Sequence, residues 1–417
     1  MTTTSSVLGP RPSVEEWLAC IGCHRRYAVD EIRYTCDCGG LLSVERDRLP
    51  GDTRKFDERL NRGPRTEDRG PDSSGVWRFR EAVLNVPENQ IITHPEGGTR
   101  LYEREGLLFK HEGENPTGSF KDRGMTVAIT QAVRLGARAV ACASTGNTSA
   151  SLAAYAAQAK LRAIVFVPAG KISGGKLAQT LAYGATCLQI RGDFDAAMKL
   201  VLESSKQLGI YLLNSINPFR IEGQKTIVWE LLQDLGWNAP DWIVVPAGNL
   251  GNTSAFGKAL REAREAGWIS RTPRLASIQA SGANPFYRSF RDSFTGRHRV
   301  AAETIASAIR IGDPVSYDRA VAAIRYTGGV VEEVTDDEIM TAKRDIDAMG
   351  IGCEPASAAT LAGVRKLRAS GVLHAGERIV CVLTGHLLKD IDAIMRGPAG
   401  RSIEIDATVE AVERALS

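Results

Sequence analysis

Short, mainly apolar runs alternate with segments of helical length from about residue 139 to residue 384. Ala139–Ala143, Ala163–Val167, Thr186–Ile190, Tyr211–Leu213, Trp242–Pro246, Leu275–Gln279 and Arg378–Leu383 read as strands. Most are apolar at successive positions rather than at alternate ones, as in strands covered on both faces of a parallel sheet. Between them the periodicity predicts helices over Ser151–Lys160, Leu177–Tyr183, Thr226–Leu235, Ser254–Glu265, Ala301–Arg310 and Glu338–Met349, with another opening at Glu354–Ala359. Strands separated by helix-length segments imply right-handed crossovers, with ligands off the carboxyl ends of the strands. Upstream, Leu107–Phe109 is an apolar segment that turns at Asn115-Pro116 and Gly118 and opens a helix over Met125–Leu135. Ser119 with Asp122 three residues on resembles a capping box. Ile91-Ile92 reads as a short strand, and the chain after Ala399 as a strand and a terminal helix.

The chain has 417 residues, room for two or three domains. Residues 1–50, which hold four clustered cysteines, read as a zinc-ribbon-like segment, residues 51–85 as a linker with a docking stretch around Trp77 and Phe79, and residues 86–417 as the main unit. A smaller mobile part is expected over about 125–213. Hydrophobic residues make up 43% and charged residues 24%, an ordinary balance for a globular protein. The net charge of +3 is spread along the chain without an aromatic-basic face, so nothing points to nucleic acid. Met1–Pro12 lacks the apolar core of a secretory leader, and no run approaches a membrane span, so a cytoplasmic location and no membrane partner are expected.

Of eight cysteines, four cluster as Cys20, Cys23, Cys36 and Cys38. Two thiolate pairs on short turns suit structural zinc, although the second pair is one residue tighter than C-x-x-C. His24 is an alternative ligand, and a metal-free hairpin is the competing reading. The other four are scattered in apolar runs and read as reduced buried thiols.

The most unusual stretch is Asn115 to Gly124, NPTGSFKDRG. It places Lys121 in the first turn of a helix, where the positive end of the dipole favours a neutral amine able to attack an aldehyde. Ser144-Thr145-Gly146-Asn147-Thr148-Ser149, between strand and helix, offers hydroxyls and backbone N–H groups to a carboxylate. Asn214 to Lys225 carries Arg220, which can fork onto a phosphate or pair with Glu222. Gly248-Asn249-Leu250-Gly251-Asn252 precedes another helix and lets the backbone approach a phosphate. Lys171 and Lys176 lie at a Gly-rich helix entry; Lys171 reads as plain surface charge and Lys176 as a weaker anion candidate.

NPTGSFKDRG resembles the Schiff-base lysine segment of the threonine synthases, in the tryptophan-synthase-β group of pyridoxal-phosphate (PLP) enzymes, and the likeness runs from about Thr93 to about Asp390. It implies an α/β fold of type II, with two parallel-sheet three-layer domains and the N-terminal ribbon. It also implies PLP linked to Lys121, with Asn147 on the phenolic oxygen, Gly248–Asn252 on the cofactor phosphate and Thr384 facing the pyridine nitrogen. Ser144, Thr145 and Thr148 would grip the substrate, and Asn214 and Arg220 its phosphate. The implied activity is that of a carbon–oxygen lyase converting O-phospho-L-homoserine and water to L-threonine and phosphate, in a homodimer. Cysteate synthase, which would use phosphoserine and sulfite, and a threonine or serine dehydratase are rivals on the same fold. A PLP- or amino-acid-binding protein without turnover is the rival of a different class.

Overall fold

The computed structural model describes residues 14–61, 67–169, 174–191, 194–396, 400 and 402–416. The extreme N-terminus, Lys171 and the side chain of Lys176 fall outside the described residues. Strands β1 (Glu16–Cys20), β2 (Arg26–Ala28) and β3 (Leu42–Arg46) form a small antiparallel sheet in the order β2-β1-β3. Two short helices follow, α1 (Arg54–Leu60) and α2 (Arg80–Val83). A hairpin of β4 (Leu101–Arg104) and β5 (Leu107–His111) leads to α3 (Lys121–Arg134).

Strict alternation then begins: β6 (Ala139–Ala143), α4 (Asn147–Gln158), β7 (Arg162–Pro168), α5 (Gly174–Ala182), β8 (Thr186–Ile190), α6 (Phe194–Leu208) and β9 (Tyr211–Leu212). These strands form a parallel sheet in the order β8-β7-β6-β9. Helices α7 (Pro218–Gln224) and α8 (Thr226–Asp234) lead back to β10 (Trp242–Pro246), α9 (Gly251–Glu265) and β11 (Arg274–Ala280). The rest comprises α10 (Pro285–Arg291), α11 (Tyr317–Thr327), β12 (Val330–Val334), α12 (Asp336–Ala348), α13 (Pro355–Ala369), β13 (Ile379–Leu383), α14 (Ile391–Arg396) and α15 (Val409–Leu416). The second large sheet runs β12-β11-β10-β13-β5-β4, parallel except for the β4 edge.

The apolar runs explain this architecture. Every residue of β6, β10 and β13 is buried, as expected for strands covered on both faces. Each large aliphatic side chain so enclosed contributes about 1.5–3 kcal/mol against exposure. Helices α4 and α9 start earlier than the periodicity predicts, at Asn147 and Gly251.

Four expectations fail. The stretch Ala301–Arg310 is not a helix: only a 3-10 turn over Ser307–Ile309 forms. Backbone bonds from Val300 to Gly312 and from Glu303 to Gly282 hold that stretch against neighbouring loops instead. Ile91-Ile92 is no strand, because the Ile92 amide is taken by the Thr130 hydroxyl at 3.0 Å. No strand precedes α15 among the described residues. The presumed linker contains α1, whose Phe56 is fully buried in edge contact with Phe79 and Trp268 at 5.1 and 5.2 Å.

Candidate active site

The loop before α3 is welded to the end of β13. Phe120 N donates to Thr384 O at 3.0 Å, His386 N donates to Gly118 O at 2.9 Å, and Ser119 bridges Gly385. Gly118 sits at φ +82°, a left-handed turn open to glycine. From this frame the chain enters α3 at Lys121. The expected capping box does not form: the Ser119 hydroxyl is buried without a partner. Asp122 instead turns back to accept from Thr117 N at 2.7 Å and from the hydroxyls of Thr117 and Ser151, both at 2.6 Å. Burial raises its carboxyl to about 6 despite those bonds.

Lys121 is held down to about 7, by burial first and by the charge of Arg220 second, with Glu354 opposing. Near neutrality half its amine is therefore unprotonated and nucleophilic. Sequence reasoning reached the direction through the helix dipole, whereas desolvation and a neighbouring cation are the causes in the fold. Its Nζ lies 4.1 Å from the centre of the Phe120 ring.

Arg220 comes from α7, a helix capped by the Asn217 side chain with Pro218 in its first turn. Among the described residues it makes one hydrogen bond, Nη1 to Leu213 O at 3.1 Å, and its Nε is buried without a partner there. Burial lowers it to about 10, and no carboxylate pairs with it among the described residues. Glu222, the pairing weighed from the sequence, is committed elsewhere, to Arg46, Lys225 and Lys258.

Asn147 opens α4 and donates to Glu354 Oε2 at 3.0 Å. The other oxygen of Glu354 accepts from the Thr384 hydroxyl at 3.1 Å. Thr384 also meets Ser357 Oγ at 3.0 Å. Burial raises the Glu354 carboxyl and favours its neutral form, against the bonds from Asn147 and Thr384. Gly385 makes this approach possible, since a Cβ there would stand 2.5 Å from Glu354 Cδ. Ser144, Thr145 and Thr148 line the same loop half-buried. The hydroxyls of Thr145 and Thr148 are unbonded among the described residues. Asn214 lies behind this loop, its amide clamped to both backbone groups of Ala143 at 3.0 and 3.2 Å. It therefore positions the loop rather than offering a free amide.

The glycine loop leaves β10 and enters α9 through Leu250, which is left-handed at φ 62°. A Cβ on Gly248 would lie 2.8 Å from Ile309 Cα, so only glycine fits there. Asn249 locks the loop by donating to Ser215 Oγ at 3.1 Å and accepting from Val315 N at 2.8 Å. The first N–H groups of α9, at Gly251, Asn252 and Thr253, have no intrahelical acceptor. Asn252 Oδ1 and Gln224 Oε1 are also buried without partners.

The predicted residues thus converge. Arg220 and Glu354 both act electrostatically on Lys121, Glu354 joins Asn147 to Thr384, and Asn147, Thr384 and the glycine loop follow the carboxyl ends of β6, β13 and β10. The donor set fits PLP: a neutral amine for its aldehyde, a helix N-terminus with unpaired N–H groups for its phosphate, and neutral polar groups for its ring. The resemblance puts the Glu354-Pro355 turn beside the cofactor, but from the sequence neither Glu354 nor Asp122 has a part in the chemistry. A Glu-Pro pair at a helix start was the available signal for the first; the second was read as a cap.

In the N-terminal sheet the four cysteine sulfurs all lie within 4.8 Å of one another. The pairs Cys20–Cys38 and Cys23–Cys36 are both 3.5 Å apart, close to the edge of a tetrahedron with zinc–sulfur bonds of about 2.3 Å. His24 is exposed and outside the group. These cysteines can hold a metal ion.

The family model described as pyridoxal-phosphate dependent enzyme matches residues 90–385. The threonine synthase of Methanocaldococcus jannaschii is 46% identical over 411 residues, spanning 95% of this chain and 98% of that protein. That of Methanosarcina acetivorans is 46% identical over 412 residues, covering 96% and 98%. Among solved structures, Escherichia coli threonine synthase superposes with a TM-score of 0.71 at 20% identity, covering 96% of this chain and 94% of that one. Processed threonine deaminase isoform 2 of Solanum lycopersicum gives 0.63 at 20% identity, over 76% and 92%. At these identities the two structures speak for the fold.

Proposed function

The chain belongs to the pyridoxal-phosphate dependent enzymes, in their threonine synthase branch, and we propose that it converts O-phospho-L-homoserine and water to L-threonine and phosphate. The observation that carries this reading is a pair of groups: a buried guanidinium without a carboxylate partner, beside a lysine whose amine is half neutral near pH 7. Such a pair suits a substrate that brings its own phosphate to a carbonyl-bearing cofactor.

When bound, PLP supplies an aldehyde for the substrate amine and a ring that stores electron pairs. The Lys121 amine would take the α-proton of the substrate and relay protons at the β-carbon. Arg220 receives the phosphate that leaves the γ-carbon, offsetting its charge where no carboxylate competes. Water then adds at the β-carbon. Ser144, Thr145 and Thr148 orient the amino acid, and Asn214 keeps their loop pinned to the end of β6. Gly248, Asn249, Leu250, Gly251 and Asn252 present backbone N–H groups to the cofactor phosphate. Asn147 and Thr384 address the ring. Thr384 is a neutral partner, which would leave the ring nitrogen weakly protonated and favour elimination and replacement over transamination.

Phosphate release with threonine formation, assayed with added PLP on O-phospho-L-homoserine and O-phospho-L-serine, tests the proposal. Faster turnover of phosphoserine, with sulfite incorporated, would assign the chain to cysteate synthesis instead. We extend the reading to a cytoplasmic homodimer; sedimentation of the holoenzyme as a monomer would remove the dimer. No helix among the described residues is long and apolar enough to cross a membrane.

A further inference from the structure

Beyond β13 a 3-10 turn over Leu387–Asp390 throws one lysine back across the catalytic loop. Lys389 Nζ donates to Gln179 Oε1, on α5, at 2.6 Å. The stem passes over the turn that precedes Lys121, since a Cβ on Gly118 would stand 2.9 Å from Lys389 Cε. Asp122, in the first turn of α3, and Glu354, just before α13, face its charge. The lysine therefore belongs to the rigid assembly of β13 and the Lys121 loop, while its acceptor belongs to the layer covering the four-stranded sheet.

The contact continues toward the chemistry. Thr180, next to Gln179, meets Ser149 Oγ at 3.2 Å, and Ser149 Oγ donates to Gly146 O at 2.8 Å. Those residues form the first turn of α4, where Asn147 and Thr148 stand. Anything that fixes α5 against the large sheet thus also fixes the loop that faces Lys121.

We propose that Lys389 and Gln179 form the catch that holds the four-stranded sheet shut over the bound amino acid. Lys389 is then a positioning residue, acting through α5 and α4 without touching the reacting atoms. A single charge-assisted, half-buried hydrogen bond can bias an open–shut equilibrium about ten-fold. That is enough to set how tightly substrate is retained and how well bulk water is excluded. The identity of the amino acid rests on the function proposed above; the catch does not.

The test uses the holoenzyme and acrylamide quenching of the bound cofactor's fluorescence, alongside KM for O-phospho-L-homoserine. Lys389→Met keeps the stem over Gly118 and removes the donor; Gln179→Leu removes the acceptor. Each should raise quenching and raise KM up to about ten-fold, with the double variant no worse than either single one. Gln179→Glu keeps an acceptor and adds an opposite charge, so it should protect the cofactor at least as well as the native residue. Quenching equal to native in the single variants, effects that multiply in the double, or Gln179→Glu behaving like Gln179→Leu would each overturn the catch. Quenching that changes as described in an enzyme that forms no threonine would keep the catch and remove the substrate assignment.

Discussion

Replacing Arg220 with methionine should stabilise the cofactor-free protein and cripple the enzyme. The guanidinium is fully enclosed, lowered from 12.5 to about 10, and bonded among the described residues only to Leu213 O. At neutral pH it is charged in both folded and unfolded chains, so the whole difference opposes folding. At 1.36 kcal/mol per unit, that is about 3 kcal/mol. Methionine is similar in reach and apolar, and it forgoes the bond to Leu213, worth about 1.5 kcal/mol or more for a charged donor. The net expectation is a gain of about 1–2 kcal/mol in urea unfolding of the cofactor-free protein. Phosphate release should meanwhile fall about 10²–10³-fold in kcat/KM, the usual loss when one charge-stabilising donor is removed. A variant that unfolds several kcal/mol more easily than the native chain would make Arg220 a structural pin and refute the reasoning. So would a variant of native activity.

Lys121→Ala should remove the visible absorbance of bound cofactor and all turnover while the far-ultraviolet circular dichroism stays native. Because the Lys121 amine is lowered to about 7, cofactor capture by the cofactor-free protein should rise with pH to a midpoint near 7; a midpoint near 10 would count against the buried site. Elemental analysis should find one zinc per chain, lost in Cys36→Ser. Glu222 would be raised by burial alone but is held down to about 2 by Lys225, Lys258 and Arg46. Its contribution is therefore present above pH 4.5 and lost as pH falls toward 2, so the stability gap between native protein and Glu222→Gln should shrink over that range in urea titrations. Glu354 has the opposite sign: its carboxyl is raised, so its neutral form favours folding and the benefit fades as pH rises. Glu354→Gln should stabilise the cofactor-free protein more at pH 8 than at pH 4.

What the sequence disclosed follows from how each feature is encoded. Strands β6, β10 and β13 were legible because full burial leaves a short continuous apolar run, rich in β-branched residues in β10 and β13, between segments of helical length. The lysine segment and the glycine loop were legible because their turns need particular residues: left-handed backbone at Gly118, and no room for a side chain at Gly248. Ala301–Arg310 misled because its apolar spacing serves tertiary contacts of an extended loop. The Ser119–Asp122 pair misled because a capping pattern cannot reveal that the acid is wanted elsewhere, by Thr117 and Ser151. Lys389 and Gln179 are 210 positions apart, and no local pattern joins them.

The N-terminal sheet illustrates the same limit and shows why the ribbon is part of the enzyme rather than an appendage. Arg46 of β3 is buried among Glu16, Glu222 and Glu262, at 3.2, 3.1 and 3.7 Å. Glu222 lies on α7 two residues from Arg220, and Glu262 lies on α9, the helix that the glycine loop opens. Lys258 of α9 reaches Ser43 Oγ at 3.1 Å, and Gln131 of the Lys121 helix reaches Val29 O at 2.8 Å. The Tyr34 hydroxyl accepts from Leu212 N at 2.7 Å, closing the free edge of β9. Charges buried this deeply destabilise by about 3–5 kcal/mol when one partner is removed. The sheet that supplies Arg46 buries Leu18, Leu42 and Val44 in the main core, and its four cysteine sulfurs can hold a metal ion in addition. Stability of the ribbon is therefore transmitted through paired charge to the two helices that present Arg220 and the phosphate cradle.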